Sequence, residues 1–140
     1  MNKKLIIIML IILIAISALG TAAYFMVSGK LGKSDKEPTI DEIVESSVDI
    51  EEITTNLKSD HIIRIAIKLE TDSKKAKEEL EKRDFQVKDA IITLLADTNA
   101  DEIEGDKGKE AFKRELKDKV NSYLQEGKVE KVYITSFNLQ

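Results

Sequence analysis

An uncharged run from Leu5 to Val27, LIIIMLIILIAISALGTAAYFMV, sits between Lys3 and Lys4 on one side and a lysine-dotted polar stretch on the other. As a helix rising about 1.5 Å per residue it measures roughly 34 Å, enough to cross a hydrocarbon core about 30 Å thick. A run of this kind constrains the chain more than any other feature: it predicts a membrane anchor followed by whatever the remaining residues can build.

The competing reading is a cleaved secretory signal, because the lysine start, the apolar run and the small residues Ala18, Gly20, Ala22 and Ala23 also fit that plan. The run, however, continues past the small residues through Tyr24, Phe25, Met26 and Val27. Amphipathic rings such as Tyr24 settle at the membrane–water interface, so an uncleaved anchor is favoured. With no cysteine in the chain, a lipoprotein anchor is excluded. Lys3 and Lys4 before the span are balanced by Lys30, Lys33 and Lys36 after it, so charge leaves the orientation open. The short leader favours an N-terminus inside and the larger part exported.

Beyond the span lie 20 of the 22 basic residues (all but Lys3 and Lys4) and all 26 acidic ones, a net charge of −6. That balance argues against nucleic acid as a partner, because phosphate-binding surfaces gather positive charge on one face. The missing cysteines remove disulfides, thiolate metal sites and thiol nucleophiles together, so an exported domain must be held by packing alone. Ile, Leu and Val are expected to dominate its core, since Trp is absent and aromatic residues are few.

The segment SGKLGKSDKEPT, Ser28 to Thr39, reads as a flexible tether. The expected plan is a leader over residues 1–4, a transmembrane helix over 5–27, a tether over 28–39 and one extracytoplasmic domain over 40–140. Ile40 to Val48 has the spacing of a brief helix. Ser47 to Leu57 predicts a strand that is bulged where the alternation changes phase at Glu51 and Glu52. HIIRIAIKLE, His61 to Glu70, alternates cleanly, with Ile63, Ile65, Ile67 and Leu69 on one side. The short polar link Lys58, Ser59 and Asp60 predicts that these strands form an antiparallel hairpin.

A helix is expected from Lys74 to Arg83, with cap oxygens offered by Thr71, Asp72 and Ser73. A second follows to Ala96, its apolar face made by Val87, Ala90, Ile91, Leu94 and Leu95. Thr98 and Asp101 have capping-box spacing ahead of a turn around Ile103 that Gly105 ends. Lys107 to Gln125 predicts a long amphipathic helix capped by Gly127. In the last segment Val129, Lys131, Tyr133, Thr135, Phe137 and Leu139 alternate with the intervening residues as a strand that must return beside an earlier one. The order β-β-α-α-α-β is an α+β plan, helices packed on one face of an antiparallel-containing sheet.

Candidates for chemistry are sparse. Asp97, Asn99 and Asp101 space their oxygens like the opening of a calcium loop, but Glu102 and Gly108 stand where such a loop wants glycine and a bidentate glutamate. Capping and turn formation account for them better. His61, the only histidine, reads as a strand-edge residue. The adjacent pairs Glu51 with Glu52 and Glu78 with Glu79 diverge in a strand or helix, unlike a general acid–base pair. No nucleophile elbow and no glycine-rich loop after a strand is present. The expectation is therefore no catalytic, cofactor-binding or metal-binding residues, no cofactor, no small-molecule substrate and no enzyme. Asp41, Glu42 and Glu45 are candidates for contact with a partner through exposure alone.

The ordered set ITTNL at Ile53 to Leu57, RIAIKLE at Arg64 to Glu70, RDFQVKDAIITLLADTNADEI at Arg83 to Ile103, GKEAFKRELKDKVNSYL at Gly108 to Leu124 and VYITSFNLQ at Val132 to Gln140 resembles the flagellar basal-body-associated FliL family. The resemblance runs over essentially the whole chain and ends on an F-x-x-Q terminus. It implies a single-pass cell-membrane protein at the flagellar basal body, with a domain similar to the stomatin/prohibitin group. It further implies a homo-oligomeric ring around stator complexes of the MotA/MotB type, supporting torque and influencing swarming and chemotaxis. The reading from another class is a membrane-anchored envelope sensor or ligand-binding domain unrelated to motility. An exported enzyme freed by signal cleavage is a third.

Overall fold

Ile63, Ile65, Ile67 and Leu69 are each no more than 1% exposed, so the strand that the sequence marks most clearly is also the centre of the core. In the computed structural model, which describes residues 2–31 and 36–140 (side chains of 25–31 excepted), this strand is β2, Ile62–Thr71. It lies between β1, Ser47–Asn56, and β3, Val129–Leu139, in an antiparallel sheet of order β1-β2-β3. Four helices fill the connection from β2 to β3: α3 (Lys74–Lys82), α4 (Asp84–Ala96), α5 (Ala100–Glu104) and α6 (Asp106–Asn121). Before the sheet come α1, Lys3–Leu31, and α2, Ile40–Glu45. The α+β plan holds; α2 is the brief helix expected from Ile40, and α5 is a short helix where a turn around Ile103 was expected.

The chain divides into Met1–Glu37 and Pro38–Gln140. In the first unit α1 carries apolar residues on all sides, and Lys3–Tyr24 is long and apolar enough to cross a bilayer. Two hydroxyls within this stretch bond back to the helix: that of Ser17 donates to Ile14 O at 2.9 Å and that of Thr21 to Ala18 O at 3.0 Å. Backbone helix continues to Leu31, so the expected tether does not begin at Ser28. Of that tether, residues 32–35 lie outside the described residues, and 36–39 have no regular structure.

In the second unit the inward rows of the sheet run Val48–Leu69–Val132, Ile50–Ile67–Ile134, Ile53–Ile65–Phe137 and Thr55–Ile63–Leu139. A bulge between Ile50 and Ile53 absorbs the phase change at Glu51 and Glu52, as the sequence predicts. β3 departs from its expected unbroken alternation. Register shifts opposite Ala66/Ile67 and Glu70/Thr71 each insert one extra residue, Thr135 and Glu130. Without them Val129 would share a face with Lys131 and Tyr133; with them Val129, Val132, Ile134, Phe137 and Leu139 all stand opposite inward residues of β2. The ladder extends past β3, where Ile62 N–H donates to Gln140 O and Gln140 N–H to Ile62 O, both at 2.8 Å.

The helices cover one face, α3 and α4 against β1 and α6 against β3, with α4 and α5 also packed on α6. Leu80, Val87, Ile91, Leu95, Ile103, Leu116 and Val120 are 0% exposed there. Each such aliphatic side chain contributes about 1.5–3 kcal/mol by leaving water. The α5–α6 junction is close enough that a Cβ on Gly108 would fall 1.5 Å from the Glu102 carbonyl oxygen.

Two helix ends differ from expectation. The capping box of α5 is built by Asn99 and Glu102, one residue later than Thr98 and Asp101, while the Thr98 hydroxyl donates to Leu94 O at 2.7 Å. α6 ends at Asn121, short of Gln125. The Asn121 side-chain amide accepts from Val129 N–H at 2.7 Å and donates to Val129 O at 3.1 Å, so it takes the place of a neighbouring strand at the start of β3. Gly127 therefore does not cap α6. It sits in the following loop at φ +90°, where a Cβ would lie 2.3 Å from Asp72 Oδ1.

Candidate functional site

Most sequence-level candidates turn out to hold the fold. Glu42 closes a capping box on α2, accepting from Thr39 N–H at 2.7 Å. Glu45 pairs with Lys74 at 3.2 Å, which leaves Asp41 as the member of that trio without a described partner. His61 lies in the turn before β2, its Nδ1 2.7 Å from Ser59 O. Asp97 is the C-cap of α4 and Asn99 the N-cap of α5. Among the described residues, no three His, Cys, Asp or Glu side chains gather as a metal site.

Glu78 and Glu79 diverge, and Glu79 has a role that spacing did not suggest. Its carboxylate accepts from Gln125 N–H at 2.9 Å, Glu126 N–H at 2.8 Å and Arg83 Nε at 2.8 Å. The two backbone donors, with the Arg83 guanidinium assisting, hold its pKa below the ordinary glutamate value. On the opposite face of the sheet the Tyr133 hydroxyl donates to Glu70 Oε2 at 2.5 Å. Glu70 is only 5% exposed, and its carboxylate pushes the Tyr133 pKa up by stabilising the protonated phenol. Both pairs join residues more than forty positions apart, so no local pattern announces them.

A concave feature of the domain lies between α6 and the outer edge of β3, a groove of about 440 Å³. Lys113, Arg114 and Lys117 line its helical wall, and Lys131 with Tyr133 its strand wall. Glu110 and Glu130 lie in it as well, but Glu110 is paired with Lys113 at 2.6 Å and Glu130 with Lys128 at 3.2 Å. Arg114 and Lys131 have no ion-pair partner among the described residues. The groove is thus locally basic on a domain whose total charge is negative. Its signal in the sequence is the spacing of Lys113, Arg114 and Lys117 on one side of an amphipathic helix, which is ordinarily a solvated face.

At the other edge of the sheet Phe85 is 70% and Ile92 41% exposed on α4, with Lys88 between them on the same helical face. Lys88 pairs with Asp84 at 2.7 Å and also feels Glu51 of β1, and both carboxylates raise its pKa. This side therefore presents two exposed apolar residues flanking an ion-paired lysine.

A profile of the family described as "Flagellar basal body-associated protein FliL" matches residues 47–140, the whole sheet and every helix between its strands. The chain belongs to the FliL family. It is 81% identical over 123 residues, 88% of each chain, to the flagellar protein FliL of Bacillus subtilis (strain 168). It is also 35% identical over 77 residues to the flagellar protein FliL of Aquifex aeolicus (strain VF5), covering 55% of this chain and 48% of that protein. The FliL match begins at Ser47, the first residue of β1, and ends at Gln140, which closes the ladder on β2.

Proposed function

We propose that this chain is a non-catalytic accessory protein of the flagellar motor, held in the cell membrane by α1 with its N-terminus inside and residues 40–140 outside. Membership of the FliL family is the observation that carries the reading. The apolar helix Lys3–Tyr24 supports the anchoring part of it.

The domain associates with the basal body and with ion-driven stator complexes of the MotA/MotB type. It acts as a lateral ring of copies with a stomatin/prohibitin-like arrangement. Restriction to a membrane plane raises the effective concentration of neighbours, so weak lateral contacts suffice for a closed assembly. By steadying stator units the ring supports torque, and through torque it affects swarming and chemotactic rotation.

The test is deletion of the gene in its host, with swimming speed in viscous medium and the number of fluorescently tagged stator units per motor as readouts. Both fall if the reading is right. Unchanged speed and stator occupancy would refute it and favour an envelope sensor or ligand-binding domain unrelated to motility.

A further inference from the structure

We infer that the basic groove between α6 and β3 is the docking site for a second copy of this chain, which inserts the Phe85 side of its α4. The inference rests on the lateral-assembly part of the proposed function and gives that assembly its two surfaces.

Three observations select this occupant. The two surfaces belong to opposite edges of one sheet, since β1 and β3 flank β2, α4 packs against β1 and α6 against β3. They can therefore meet only between copies, and they meet head to tail. Their charges are complementary: Arg114 and Lys131 in the groove have no ion-pair partner among the described residues, whereas Asp84 and Glu51 both act on Lys88, on the helical face that carries Phe85. Their shapes also correspond, an aromatic ring 70% exposed facing a groove of about 440 Å³. A buried aromatic anchor inside a charged rim is the usual anatomy of an interface.

Direct strand addition fits less well, because both edges are obstructed. The Asn121 amide occupies the backbone groups of Val129, the Lys117 ammonium donates to Glu130 O at 3.5 Å, and the bulge at Glu51 and Glu52 breaks the β1 edge. Side-chain docking needs neither edge free. A head-to-tail contact leaves one groove and one knob unused on every dimer, so it propagates to a ring or a filament, whereas a two-fold contact stops at two copies.

The chain contains no cysteine, so disulfide trapping of full-length protein in native membranes is unambiguous. A chain carrying both Ile92→Cys and Lys117→Cys, which keeps the Phe85 ring, is expected to give a ladder of dimer, trimer and higher species on mild oxidation. Either single variant alone stays monomeric, and the two singles expressed together give dimer only. Arg114→Glu should reduce the ladder about tenfold, and adding Glu51→Arg should restore it. Circular dichroism of the charge variants establishes that they fold.

Absence of the ladder, dimer from Ile92→Cys alone, or no rescue by the charge swap would each overturn the inference, as would trapping of the groove variant to a different protein. A motor defect on deletion without the ladder defeats this inference alone. The ladder without a motor defect defeats the accessory role and leaves the interface standing.

Discussion

The Glu79 carboxylate on α3 receives the backbone N–H of Glu126 at 2.8 Å, and through it the loop that launches β3 is tied to a helix forty-seven positions earlier. The same carboxylate takes Gln125 N–H and Arg83 Nε. Glu79→Gln keeps the shape but loses the charge that makes these bonds strong. We expect a lower melting temperature at pH 7 by calorimetry. Because the folded pKa is lowered, the contribution of Glu79 is whole above the ordinary glutamate value of about 4.3 and is lost as pH falls through the folded value. The gap between wild type and variant should therefore close on acidification; a gap constant from pH 7 to pH 3 would contradict the assignment.

Tyr133 behaves with the opposite sign. Its phenol must be protonated to donate to Glu70, so its pKa is raised and its contribution is whole below about pH 10 and lost as pH rises through the folded value. Tyr133→Phe leaves the nearly buried Glu70 carboxylate without that donor and should cost about 1 kcal/mol at neutral pH, at the low end because the ring is partly exposed. In urea titrations the difference should shrink above pH 10.

Two glycines are irreplaceable for different reasons. Gly127→Ala forces a side chain into positive φ and against Asp72, and Gly108→Ala drives a Cβ into the Glu102 carbonyl between α5 and α6. Each should cost at least about 1 kcal/mol in urea unfolding, with Gly108→Ala the larger because backbone must move. Gly105→Ala, which meets nothing within 4 Å, should cost far less and serves as the control.

Ile65 stands between Ile53 and Phe137 at 1% exposure, at the centre of the sheet. Ile65→Ala should destabilise by about 2–5 kcal/mol. Deleting residues 137–140 removes the β3 partners of both Ile63 and Ile65 and is expected to leave the domain unfolded by circular dichroism. A cooperative melt retained by the deletion would contradict the pairing.

The strands were legible where one face alternates without interruption, as in β2, and where two adjacent glutamates marked the bulge in β1. In β3 the two extra residues, Glu130 and Thr135, carry no local mark, because their positions answer to the register of β2 and the need to bring Val132 and Ile134 inward. The end of α6 differs from the sequence pattern for a similar reason: Tyr123 and Leu124 continue the helical stripe, but the chain leaves the helix where the Asn121 amide can meet Val129. The spacing of Thr98 and Asp101 pointed to a capping box one residue too early; the box lies at Asn99, whose N–H donates to Glu102 Oε2. The basic groove was invisible because it unites residues of α6 and β3 that only folding brings together.

Whether the anchored domain sustains the motor is tested most directly by torque. A strain lacking the gene is complemented either with the whole chain or with residues 36–140 behind a cleavable export signal, and stall torque is read from beads attached to flagella. The account predicts that the anchored chain restores torque and the released domain, at equal abundance outside the membrane, does not. Equal restoration by both, or full torque with neither, would contradict it.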